Sequence, residues 1–299
     1  MEEWGEPYKP GHLSVAELFC VRCCERSETR RSQSYKMSAK QLVLLAAAVF
    51  QLSSAAVLKD GSEVPTYLSP CIRNTPEFNQ CIRKALQLLM GKLSKAGIQE
   101  LGLESVDPLS IAELEMTYNG GDPVIGADVT LKDTITRGFS AIKVIDVRSK
   151  TDDPNFFGMD IDFYVPRIVT NGKYKMEGHV GNYPVNGAGD FNITTTEVTG
   201  TWKLRGTPIV DDGVTYIRID RMTVRPEIGG LKAHASNLIN DNPELSQIVL
   251  AFVNRFWKVL YQEMIPYAEE HFEKILKGIV NKIFLKIPYD QLFPPARLE

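Results

Sequence analysis

Through "NPELSQIVLAFVNRFWKVLYQEM" apolar residues fall at Leu245, Ile248, Val249, Phe252, Val253, Phe256, Trp257, Leu260 and Met264. The series continues at Ala268, Phe272, Ile275, Leu276, Ile279 and Ile283. That is helical spacing. Asn242 or Asp241 suits the N-cap, with Pro243 near the first helical position. From Pro243 to Leu285 the helix would run for about 43 residues and roughly 65 Å, against an average of about 11 to 12 residues. Pro266 is expected to kink it, because its ring blocks the hydrogen bond to Gln262. No second helix of similar length is written in the chain, which argues against an intramolecular coiled coil. The apolar stripe is also too wide and too aromatic for a self-paired two-position seam. What remains is a sheet whose apolar face wraps the helix.

The middle of the chain supplies such a sheet. From about Ser110 to Leu238 the pattern is mostly period two. "GMDIDFYVP" puts Met159, Ile161, Phe163 and Val165 on one face and Asp160, Asp162 and Tyr164 on the other. "TGTWKLRG" alternates Trp202 and Leu204 with Lys203 and Arg205. Asn171-Gly172 is a two-residue hairpin signal, and Asp211 to Gly213 is a second turn candidate. One apolar face, one polar face and hairpin turns describe an antiparallel meander. Ahead of it, "CIRKALQLLMGKLSKAG" repeats apolar residues at Ile82, Ala85, Leu86, Leu89 and Leu93, and Gly97 is a plausible stop. The fold class expected is α+β: a strongly curved antiparallel sheet around one long C-terminal helix, with a short N-terminal helix.

A targeting signal begins at Met37. Lys40 gives a positive n-region, "LVLLAAAVF" is a compact apolar h-region, and "QLSSAA" ends in the small residues Ser54 and Ala56. The stretch is shorter than the roughly 20 apolar residues of a membrane span. We read residues 37–56 as a secretory leader and 57–299 as a single binding domain. Residues 1–36 carry six basic and six acidic side chains without apolar periodicity, and read as an upstream extension or a misassigned start. The expected location is extracellular. The formal charge of −3 gives no electrostatic support for a nucleic-acid or anionic-membrane partner.

Removing the leader leaves two cysteines, Cys71 and Cys81, ten positions apart. In an oxidising lumen they are expected to pair, and their spacing is not that of a Cys-x-x-Cys redox motif. "CVRCC" (Cys20, Cys23, Cys24) is followed by no second ligand pair at zinc spacing.

The order of leader, paired cysteines, "GLESVDPLSI", "GNYPVNGAGDFNIT", long helix and terminal "IPYDQLFP" resembles the insect takeout and juvenile-hormone-binding protein family over about Val57 to Pro294. The resemblance implies a tubular lipid-binding fold with a hydrophobic tunnel between helix and sheet. The implied ligand is a small lipophilic molecule, a terpenoid hormone or fatty-acid-like. It also maps the family's cysteine pair onto Cys71 and Cys81. Candidate ligand contacts are Met159, Ile161, Phe163, Val165 and Trp202 on the sheet, with Phe252, Phe256, Trp257, Tyr261 and Met264 on the helix. The same residue types build cores, so each is a packing candidate before it is a ligand contact.

His179, His234 and His271 form no His-Glu-x-x-His pattern, and no Gly-x-Ser-x-Gly elbow occurs. "GNYPVNGAGD" lacks the ending of a phosphate-binding loop, and its glycines suit a turn, bulge or bend. The expectation is a carrier and not an enzyme, with no cofactor, no metal, no nucleic-acid partner and no stable membrane insertion. Its alternative is a secreted interaction protein whose interior is filled by its own side chains. Asn192-Ile193-Thr194 is a glycosylation sequon.

Overall fold

The computed structural model describes residues 68–119, 125–151, 153–180 and 182–296. The leader, the upstream extension and Cys20, Cys23 and Cys24 lie outside the described residues.

Helix α1 (Phe78–Ala96) is followed by strands β1 (Leu109–Asn119), β2 (Ile125–Arg137) and β3 (Lys143–Lys150). Two long strands, β4 (Phe157–Val180) and β5 (Tyr183–Asp211), come next, then β6 (Val214–Thr223) and β7 (Gly230–Ala235). The long helix α2 (Pro243–Phe284) and a short α3 (Tyr289–Leu292) end the fold. All seven strands join one sheet in the order β1-β2-β4-β5-β6, with β3 also on β4 and β7 also on β5. Every ladder is antiparallel. β4 pairs with β5 along its whole length, and the other side of each is covered in part by two shorter strands, β2 and β3 on β4, β6 and β7 on β5. Met159, Ile161, Phe163 and Val165 are all buried, as their alternation requires. The sheet is the curved one expected, set around the long helix.

Several local expectations hold. Asn242 caps α2, its side chain accepting from the Leu245 N–H at 2.9 Å, with Pro243 in the first turn. Gly97 ends α1 at φ 69°, where an added Cβ would lie 2.4 Å from the Leu103 carbonyl oxygen. Asp212 and Gly213, both at positive φ, turn the hairpin between β5 and β6.

Two local expectations are corrected. Asn171-Gly172 makes no turn and lies inside β4, while the β4–β5 hairpin closes where Val180 pairs with Tyr183. Gly172 serves close approach instead, because a Cβ there would meet the Phe191 ring at 2.9 Å and the Lys132 carbonyl oxygen at 3.0 Å. It sits beside the register shift in β2 between Lys132 and Ile135, where the sheet bends. In α2 the non-helical residue is Phe256 (φ −107°, ψ 19°), and not Pro266. Proline removes one hydrogen bond at Pro266, and exposed Gln262 leaves that carbonyl open to water. Near Phe256, the Asn254 side chain donates to the Leu250 carbonyl at 3.0 Å and so competes with the helix ladder.

Helices meet sheet through three side-chain amides. Gln87 of α1 accepts from the Val144 N–H at 2.8 Å and donates to the Ile142 carbonyl at 3.0 Å. Asn254 of α2 does the same to both backbone groups of Ala233, and Asn281 to both of Ile219. Each amide thus covers part of an edge strand (β3, β7 and β6), whose unpaired backbone groups would otherwise need another partner.

On the sheet surface, Arg148 of β3 forks onto Asp162 of β4 at 2.6 and 2.8 Å, and the Thr201 hydroxyl donates to the same carboxylate at 2.6 Å. Arg148 and then Thr201 hold the Asp162 carboxyl at about 2, below its ordinary 3.8. A lowered folded-state pKa gives stabilisation that is present above the unfolded value and lost as pH falls through the folded one. Melting temperature should therefore fall as pH drops from about 3.8 to about 2, and Asp162→Asn should flatten that segment. The partly exposed pair keeps the effect modest, and an unchanged acid slope in the variant would refute the assignment.

Cys71, in the segment before α1, bonds Cys81 in its first turns, with the Cα atoms 5.7 Å apart. The stapled segment also joins the C-terminal tail: the Cys71 N–H donates to the Leu292 carbonyl at 2.9 Å and the Arg73 N–H to that of Pro294 at 2.8 Å. Closing a loop this short stabilises by about 2.5–3 kcal/mol on the chain-entropy estimate. The double substitution Cys71→Ser/Cys81→Ser should lower stability by about that amount in urea titration; a loss under about 1 kcal/mol would mean the tail contacts hold the segment without the bond.

Candidate ligand chamber

Helix α1, the inner face of the sheet and the C-terminal half of α2 converge on a chamber of about 200 Å³. Leu86, Leu89, Met90 and Leu93 of α1 contribute one wall; Met159, Ile161, Trp202, Leu204 and Met222 the second; Ile275, Leu276, Ile279 and Ile283 the third. Cys71 and Phe293 also face it, so the stapled segment and C-terminal tail form part of its boundary. Among the described residues no lining side chain is charged, Ser69 supplies the only hydroxyl and Trp202 the only indole N–H. Around one end stands an aromatic cluster in which Phe157 lies 5.3 Å from Phe284 and 6.1 Å from Phe293, measured between ring centroids.

The candidate contacts divide. Met159, Ile161 and Trp202 reach the chamber. Phe163 stacks on Trp202 at 4.5 Å, and with Trp257 and Tyr261 it lines a second, open cleft of about 1370 Å³. That cleft is mixed in character, with Asp162, Lys203, Arg225 and Glu269 among its walls. Tyr261 donates to the Pro226 carbonyl at 2.8 Å, and burial pushes its phenol up to about 12. Val165 is wholly buried in the core and Met264 half-buried; neither lines a described cavity. Phe252 and Phe256 line neither, and are 53% and 44% exposed. The reason is helix phase. Asn254 turns its side of α2 to β7, and residues two positions away point about 200° round the axis.

Sequence reasoning missed the α1 wall and the Ile275–Ile283 wall. Both showed helical apolar spacing, but neither carries the aromatic residues that drew attention to the helix's other half.

An antiparallel sheet curved around a long helix, with an apolar chamber between them, suits the binding of hydrophobic molecules. The sequence profile described as haemolymph juvenile hormone binding protein matches residues 42–294, and the chain belongs to that family. It is 26% identical over 248 residues to the circadian clock-controlled protein daywake of Drosophila melanogaster, covering 81% of this chain and 93% of that one. The daywake protein of Drosophila yakuba is 24% identical over 230 residues, covering 75% and 87%. Among solved structures, Takeout 1 of Epiphyas postvittana superposes with a TM-score of 0.62 at 19% identity, covering 76% of this chain and 99% of its own. That likeness establishes the shared fold. Among the described residues no helix is long and apolar enough to cross a membrane.

Proposed function

We propose that the protein is a secreted carrier that holds a small hydrophobic ligand, juvenile-hormone-like or fatty-acid-like, in the chamber between α1, the sheet and α2. The observation that carries this reading is the chamber's lining, apolar on all three walls. Enclosing apolar ligand surface there contributes about 25 cal/mol per Å² and calls for no chemistry. Met159, Ile161 and Trp202 are its contacts from the sheet. Residues 37–56 act as the leader, and the Cys71–Cys81 bond fits an oxidising compartment.

Native mass spectrometry of protein secreted from insect cells, followed by solvent extraction, tests the reading. A co-purifying apolar molecule released on denaturation is expected, on a chain beginning near Val57. A second reading draws on the chamber's size, about 200 Å³, which is below the roughly 300–1,000 Å³ usual for ligand pockets. On that reading side chains fill the interior and the protein acts through its surface. An empty protein that also ignores terpenoids and fatty acids would favour it.

Asn192 is the proposed glycosylation site. It lies half-buried in β5, its side-chain amide donating to that of Asn171 across the ladder. A glycosidase-sensitive mass shift is expected for the secreted protein and should vanish in Asn192→Gln; a parent protein without the shift refutes the site.

A further inference from the structure

The chamber's polar inventory says more about the ligand than its volume does. A hydroxyl or acid carried into a protein interior needs an acceptor for its proton, and otherwise forfeits its hydration. Of the described lining residues, only Ser69 offers a side-chain oxygen, and it lies in the exposed segment before α1. Trp202 offers one donor and no acceptor, and its ring is stacked on Phe163. The remaining lining is aliphatic, aromatic or sulfur-bearing. The backbone behind it is committed as well. Along the three walls Met159, Ile161, Trp202, Leu204 and Met222 lie within paired strands, and the lining residues of α1 and α2 lie within helices; the lining residues outside these elements, Leu68, Ser69 and Phe293 among them, belong to the connecting segments and the tail.

We propose that this chamber takes the unfunctionalised hydrocarbon end of a singly functionalised amphiphile, such as a fatty-acid-like chain, and selects against molecules that carry a hydroxyl or acid at both ends. This rests on the carrier reading above and narrows its ligand to one whose inner end carries no hydroxyl or acid. A molecule with a hydroxyl or acid at both ends must bury one of them against walls that offer no oxygen acceptor for its proton. A molecule with one polar end inserts the other and keeps its head in water. The volume agrees. About 200 Å³ holds one end of a ligand of ordinary size and not the whole.

The test uses two probes of equal length, 1-decanol and 1,10-decanediol, displacing the apolar dye N-phenyl-1-naphthylamine from the full secreted protein. The diol should bind about 10- to 100-fold more weakly, the penalty for one buried, unpaired hydroxyl. Met90→Gln, nearly isosteric and half-buried on α1, places an amide acceptor in the wall. It should cut the diol's disadvantage to within about fivefold, because the second hydroxyl then has a partner. Leu86→Gln, one turn earlier, serves if circular dichroism shows Met90→Gln to be unfolded. A wild-type diol within about threefold of the alcohol overturns the selectivity. A ratio unmoved by either glutamine overturns the placement of the tail in this chamber. In both cases the dye still binds and the carrier reading stands; failure of dye and both probes to bind would remove that reading and this inference with it.

Discussion

Replacing Ala85 by phenylalanine should abolish uptake of apolar ligands while leaving the protein folded. Ala85 is half-buried on the face of α1 that lines the chamber, and a ring there projects into the space a ligand would fill. Denying a ligand about 100 Å² of apolar burial at about 25 cal/mol per Å² removes about 2.5 kcal/mol, close to a hundredfold in affinity. Overpacking costs about 1–3 kcal/mol of stability, which the sheet and the disulfide can absorb. Leu88, three residues on, is 61% exposed, so Leu88→Phe adds the same ring to the same helix without entering the chamber. Dye titration of the pair gives the answer: Ala85→Phe should lose binding and Leu88→Phe should keep it. If Ala85→Phe binds like the parent, the ligand lies elsewhere, and the open cleft beside Tyr261 becomes the place to look.

Phe157→Ala should cost about 3–5 kcal/mol, the range for deleting a large ring from a packed core. Phe157 opens β4 and is 1% exposed. Its ring meets Phe284 at the end of α2, Tyr289 of α3 at 6.4 Å and Phe293 of the tail. Phe293 in turn touches Phe78 at the start of α1, at 5.6 Å. One ring therefore joins the sheet to all three helices. Its loss should appear as a lower urea midpoint at unchanged m. It should also weaken dye binding, because Phe284 and Phe293 both face the chamber. A change under about 1 kcal/mol would mean that the helices hold to the sheet chiefly through Gln87, Asn254 and Asn281.

The split among the candidate contacts has a single physical origin. Alternation in a strand names a face, and a sheet curved around a helix has only one inner face. Met159, Ile161, Phe163 and Val165 therefore pointed inward as read. Alternation does not say how far along that face a cavity extends. Val165 ended in solid core, and Phe163 became the ring that stacks on Trp202. Helical periodicity is weaker still in α2, which is apolar over much of its circumference. With so little contrast, sequence could not say which side of α2 meets β7, and Asn254 decided it through Ala233.

What neighbouring residues control was written in the chain. The length of α2, its Asn242 cap, the Gly97 stop, the Asp212-Gly213 turn and the closure of Cys71 on Cys81 all depend on residues within a few turns of one another. Sequence order makes those energies visible. The tertiary structure alone decided that Gly172 would sit in a strand and give Phe191 room, and that the chamber would be walled by α1 and the far end of α2. Each of these turns on contacts between segments far apart in sequence. Such contacts compete with local preference, and their outcome is fixed only when the surfaces meet.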